Sequence, residues 1–184
     1  MRSAIVFIID QLTQLYLLVL LLRFWLPWVR ADFRNALAQG ILKLTSPLVI
    51  PVRRVIPSIG RLDTATVLVA FAIQAAALVL MLSIRNLPMD PAAIAITAIL
   101  ELGLLSAVLF FFAVIIYVIL SWFAPGAYNP AVALLTMLVR PLLDPFSRII
   151  PRLGGIDVSP VIVIILLQAT MMVFAEYRPI NISP

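Results

Sequence analysis

SPLVIPVRRVIPSIGRLD, residues 46–63, and RPLLDPFSRIIPRLGGID, residues 140–157, are one pattern written twice. At a constant offset of 94 and with no gap, Pro47 meets Pro141, Leu48 meets Leu142, Pro51 meets Pro145 and Arg54 meets Arg148. Ile56 then meets Ile150, Pro57 Pro151, Gly60 Gly154 and Asp63 Asp157. The register extends outward to Trp28 with Trp122 and Asn35 with Asn129, and inward to Gln74 with Gln168 and Ala75 with Ala169. Shared Leu or Val carries no information in so apolar a chain. Shared Pro, Gly, Asn, Arg, Asp and Gln at one ungapped offset indicates a duplication.

What surrounds the repeated stretches identifies the solvent. Of 184 residues, 64% are hydrophobic and 11% charged, and the mean hydropathy is +1.18. Soluble domains are about 45–50% apolar and about 25% charged, so the bilayer must solvate much of this chain. Four segments reach the roughly 20 residues that cross a hydrocarbon core, at about 5–26, 64–84, 98–122 and 158–175. The first is too long and too interrupted, by Asp10, Gln11, Gln14 and Arg23, for a signal peptide, and reads as a retained span. The expected fold is therefore an all-α membrane protein of four transmembrane helices in two tandem repeats. Residues 1–90 hold the first repeat with its loop at 29–63, and residues 91–184 the second with its loop at 123–157.

Two spans per repeat bring the second copy in from the same side as the first, so the repeats are parallel and both long loops share one face. Nine basic residues lie in those loops: Arg30, Arg34, Lys43, Arg53, Arg54, Arg61, Arg140, Arg148 and Arg152. Only Arg2, Arg85 and Arg178 lie on the other side, with Arg23 inside the first span. This asymmetry predicts cytoplasmic loops and periplasmic termini in an inner membrane. It also accounts for the net charge of +5 without invoking nucleic acid. The partners expected are membrane lipids and either another membrane protein or further copies of this chain.

Within the loops, Asn35-Ala36 and Asn129-Pro130 read as helix N-caps. Leu37, Ile41, Leu44 and Leu48 recur at helical spacing, as do Ala131, Leu135, Leu138 and Leu142. Each set describes a short amphipathic helix in the interface. The prolines at 47, 51, 57, 141, 145 and 151 are expected to break the chain into short turns. Gly60 and Gly154 permit a tight bend back into the membrane.

Few side chains are chemically suggestive. The chain has no Cys and no His, which removes disulfides, thiol nucleophiles, imidazole bases and the usual zinc and haem ligands. No cofactor and no catalytic residue is predicted. Arg54 and Arg148 read as interfacial anchors or as a paired site for anionic headgroups or an acidic partner segment. Asp63 and Asp157 read as N-caps of the spans that follow, or as members of that site. Gln74 and Gln168, near mid-membrane, are expected to hydrogen-bond each other between repeats. Asp10 and Glu101 are intramembrane acids and so functional candidates, while Arg23 is expected to snorkel to the surface.

LLLRFW (20–25), ADFRNALAQ (31–39), SPLVIPVRRVIPSIGRLD and RPLLDPFSRIIPRLGGIDVSP together resemble the YggT family of bacterial membrane proteins, which has plastid relatives. The resemblance covers essentially the whole chain, carried by the doubled P-x-x-x-P-x-x-R-x-I-P-x-x-G-x-x-D pattern. It implies links to osmotic-shock tolerance and cell-division gene neighbourhoods, and through the plastid relatives to haem attachment in b-type cytochrome maturation. Without Cys or His, a maturation role here is that of a scaffold. The expected function is a non-enzymatic scaffold or assembly factor at the cytoplasmic membrane surface. The alternative is an ion or solute flux component or regulator in osmotic homeostasis.

Overall fold

The computed structural model describes residues 2–29, 33–60, 62–123, 129–149 and 157–180. Those residues form six helices: α1 Arg2–Trp25, α2 Ala36–Arg53, α3 Thr64–Arg85, α4 Pro91–Phe123, α5 Pro130–Ile149 and α6 Ser159–Glu176. Four are long and apolar enough to cross a membrane: Ser3–Trp25, Thr64–Arg85, Pro91–Ser121 and Ser159–Glu176. No named strand occurs among the described residues; Ile59 and Leu62 form one isolated antiparallel bridge.

Local chemistry sets the helix ends. The Asn35 side chain accepts from the N–H groups of Leu37 and Ala38 at the start of α2, and Asp63 accepts from Thr66 N–H at the start of α3. Asn86 closes α3 in the left-handed region at φ 54°, where Leu87 N–H reaches back to the Leu82 carbonyl at 3.0 Å. Asn tolerates that conformation because its short side chain bonds locally. The third span starts earlier than its hydropathy suggests, because Asp90-Pro91 is itself a cap: Asp90 accepts from Ala92 N–H at 3.0 Å. The resulting 33 residues are about 50 Å long, more than a bilayer core needs. Gly60 takes φ +61° in the turn closed by paired bonds between Ile59 and Leu62. Its counterpart Gly154 lies outside the described residues, as do Ile150, Pro151, Arg30, Arg61 and Arg152.

The prolines do not divide the loops as expected. α2 runs unbroken through Pro47 and Pro51, and α5 through Pro141 and Pro145. Each proline forfeits the bond to the carbonyl four residues back and costs about 3 kcal/mol inside a helix. All four are exposed, so the freed carbonyls lie on the outer face, open to water or headgroups. The inner face offsets the loss by packing: Ala38, Thr45 and Val49 on α2, and Leu134, Leu138 and Leu143 on α5, are buried against the bundle. The outer face of α2 keeps Leu37, Leu44 and Leu48 exposed, so the helix has an inner apolar face as well as the stripe anticipated from spacing.

The main core joins all six helices, from Leu17 and Leu20 of α1 through Ala70 of α3 and Phe110 of α4 to Val139 of α5 and Val163 of α6. A second cluster, including Val6, Leu78, Met81 and Ala98, closes α1, α3 and α4 at the opposite end. Between lipid-solvated helices such packing acts chiefly through dispersion, since lipid tails are as apolar as Leu. α6 packs chiefly on α4 and, less extensively, on α5.

Candidate functional site

Three polar assemblies stand out against this apolar bundle. The first gathers α1, α2 and α3 at the end where the long loops lie. Arg23, in the last turn of α1, is buried at 4% exposure. Its Nη1 donates to Thr45 Oγ1 at 2.8 Å, to Ser46 Oγ at 3.2 Å and to the Leu42 carbonyl at 3.4 Å. Its Nε lies 3.7 Å from Asp63 Oδ2. The guanidinium therefore clasps the turn of α2 just before Pro47, where the helix ladder is weakest. Asp63, also buried, accepts from Thr66 Oγ1 at 2.6 Å and forms a second ion pair with Arg53.

This corrects two expectations. Arg23 does not snorkel to the surface, because fixed acceptors surround it where it stands. Asp63 is held by Arg23 and Arg53 and not by Arg54, which is exposed. A buried carboxylate occupied by two guanidinium groups is a clasp, not a contact surface. Sequence inspection gave Arg23 no partner and passed over Thr45 and Thr66, although one signal was present. In the offset-94 register they correspond to Tyr117, Val139 and Pro160, so three polar residues at buried positions occur together in one half alone.

The second assembly lies within the spans, toward the end where the termini lie. Gln74, almost fully buried on α3, donates its amide to Glu101 of α4. Glu101 in turn pairs with Arg178, just beyond α6, at 3.2 Å. On α1, Gln14 donates to Asp10 at 2.8 Å. Gln74 thus finds a carboxylate on the next helix, and Gln168 is exposed on α6: the two amides do not meet. Glu101 bridges α3, α4 and the segment after α6.

The third assembly is the surface built by α2 and α5. Asn35 Nδ2 donates to the Pro130 carbonyl at 2.7 Å, and Leu26, Ala38 and Leu134 pack together beside it. One asparagine thereby caps its own helix and ties it to the start of the other. Arg54 caps the C-terminal end of α2 and Arg148 lies in the last turn of α5, both exposed. Lys43 and Arg140 are exposed along the same helices. Asp157 is exposed and accepts from Ser159 N–H at 2.9 Å, but it stands one residue before the N-cap position of α6, which Val158 occupies. Among the described residues no group of three or more acids capable of holding a metal ion occurs.

A family model described as CCB3/YggT matches residues 2–84 and 95–177. An uncharacterized protein of Pseudomonas aeruginosa is 41% identical over 170 residues, which is 91% of this chain and 86% of that one. The uncharacterized protein YggT of Escherichia coli is 37% identical over 175 residues, 95% of this chain and 90% of its own. An uncharacterized protein of Haemophilus influenzae is 30% identical over 164 residues, covering 86% and 84%. No solved structure matches.

Proposed function

The chain belongs to the CCB3/YggT family, and from that premise we propose that it is a non-enzymatic membrane scaffold or assembly factor, whose paired loop helices form a recruiting platform. The observation that carries the reading is the bond from Asn35 to the Pro130 carbonyl, 2.7 Å long, which joins α2 to α5. Two interfacial helices locked to each other hold their arginines at a set separation, as a docking surface requires and a loose basic loop does not. Arg23 is buried in the bundle and Arg53, at its edge, is engaged with Asp63, which leaves the repeated Arg54 and Arg148 for contacts outside the chain. Guanidinium groups present a planar fork that suits carboxylate or phosphate. The platform faces the cytoplasm of an inner membrane on this reading, since nine loop basics oppose three. The family match to residues 2–84 and 95–177 supports two parallel units, as does the packing of α2 on α5.

The test is affinity purification of the full chain from native membranes in mild detergent. Arg54→Lys with Arg148→Lys preserves charge and is expected to lose co-purifying partners. Lys43→Gln with Arg140→Gln removes two charges and is expected to lose fewer. Equal behaviour of the first variant and wild type, with loss in the second, would reduce the platform to a bulk electrostatic anchor.

A second reading, a flux component, draws on Asp10, Gln14, Gln74, Glu101 and Arg178 within or beside the spans. Ion or solute flux in proteoliposomes, abolished by Glu101→Gln, would favour it over the scaffold.

A further inference from the structure

α6 carries an amide in the wrong place for a helix facing only lipid. Gln168 is the tenth of the 18 residues of Ser159–Glu176, so it sits about 13 Å from either end and cannot reach an interface. It is exposed and has no hydrogen-bond partner among the described residues. A glutamine side chain offers two N–H donors and a carbonyl, and hydrocarbon satisfies none of them. Its neighbour Thr170 answers the same problem internally, donating its hydroxyl to the Leu166 carbonyl of its own helix at 2.8 Å. Gln74, the counterpart in the offset-94 register, answers it with Glu101 of the following helix. The described chain has no helix after α6 to do the same for Gln168.

The surroundings of Gln168 are those of a helix seam. Val161, Ile165, Gln168, Met172 and Ala175 are all exposed and follow one another at spacings of four, three, four and three. That is the a/d spacing of a left-handed helix pair, with one polar residue at its centre, the arrangement that sets register in coiled coils. α6 is also the least buried of the four spans, 17% against 22–39% for the others. Its inner side is occupied, with Phe174 lying over Gly103 of α4, and the seam is the stripe of the free side that carries Gln168.

We propose that this seam is the contact between two copies of the chain, α6 against α6, with the two Gln168 amides hydrogen-bonded across a two-fold axis. A second copy is the occupant the chemistry selects. Copies inserted in one orientation can be related by a two-fold axis only along the membrane normal, so each seam residue meets its own counterpart at the same depth. An amide is both donor and acceptor and therefore complements itself, as an ion-pair partner does not. The apolar seam residues supply close packing, and the central amides supply register. This inference is independent of the platform reading.

The chain lacks cysteine, so single-cysteine variants report cleanly. The full-length protein carrying Ile165→Cys or Met172→Cys, reconstituted in vesicles of Escherichia coli polar lipid and oxidised with copper phenanthroline, is expected to form disulfide-linked homodimers. Ile99→Cys on α4 and Leu80→Cys on α3, both exposed, are expected not to. Gln168→Leu faces lipid in the monomer and leaves its fold intact. It should weaken self-association roughly 3- to 30-fold, measured by energy transfer between labelled copies at increasing lipid dilution. Cross-linking at residues 165 and 172 no greater than at 99 and 80, or an unchanged dilution curve for Gln168→Leu, would overturn the proposal. Cross-linking of residues 165 and 172 in native membranes solely to a different protein would overturn it too, assigning the seam to that protein.

Discussion

Replacing Asp63 with Asn tests whether the Arg23 clasp holds the loop end of the bundle together. Asn can still cap α3, so the change isolates charge. It leaves Arg23, 4% exposed, without a counter-ion, and uncompensating a buried charge costs about 3–5 kcal/mol. Arg53 decides little of this: its side chain is 44% exposed, and half-exposed pairs contribute about 0–1 kcal/mol. Arg53→Gln should therefore cost less than about 1 kcal/mol. Arg23→Met removes bonds to Thr45, Ser46 and the Leu42 carbonyl but leaves Asp63 with Arg53 and Thr66, so about 1–3 kcal/mol is expected. The decisive variant is the double, Asp63→Asn with Arg23→Met. It removes the stranded charge and should be more stable than Asp63→Asn alone, with a coupling of about 1–3 kcal/mol. The assay is unfolding of the full chain in mixed detergent micelles, followed by far-UV circular dichroism and by the fluorescence of the chain's tryptophans, two of which, Trp25 and Trp28, lie beside the clasp. Additivity within about 0.5 kcal/mol, or an Asp63→Asn cost no larger than that of Arg53→Gln, would refute the clasp.

Other consequences are measurable in the same system. Gln74→Ala should cost about 0.6–2 kcal/mol and couple to Glu101→Ala, while Gln74→Ala and Gln168→Ala should be additive in a monomeric detergent state. Asn35→Ala should cost more than Asn129→Ala, because each loses an N-cap worth about 1 kcal/mol and only Asn35 also loses the bond to the Pro130 carbonyl. Gly103→Ala places a methyl 2.8 Å from the Phe174 ring, and about 1 kcal/mol of overpacking should be relieved by Phe174→Leu. Cysteines at the exposed Gln39 and Ala131 should resist an impermeant thiol reagent in intact cells and react after lysis. Labelling of both before lysis would reverse the orientation, and labelling of one alone would refute parallel repeats.

The spans and the two caps at Asn35 and Asp63 were legible in the amino-acid order because they rest on local physics. Twenty apolar residues have no other stable environment than a bilayer, and a capping side chain bonds backbone two or three residues away. The amphipathic character of α2 and α5 was equally legible from spacing. Where the reading depended on which residues meet across the bundle, it went astray. Proline was read as a breaker because its local cost is certain, whereas the burial of Thr45, Val49 and Leu143 that offsets it comes from other helices.

The same division separates the site residues. Arg53 and Arg54 are adjacent and chemically identical, and repetition pointed to Arg54 as the residue with a partner. Only the direction in which each leaves the end of α2 decides that Arg53 meets Asp63 while Arg54 faces outward. Gln74 and Gln168 occupy one position in the repeat pattern, yet one is buried against Glu101 and the other exposed. Amino-acid order determines that an amide stands mid-span, because depth follows from counting residues along a helix. Whether it faces protein or lipid depends on which helices stand beside it, and that is settled by packing between segments far apart in the chain.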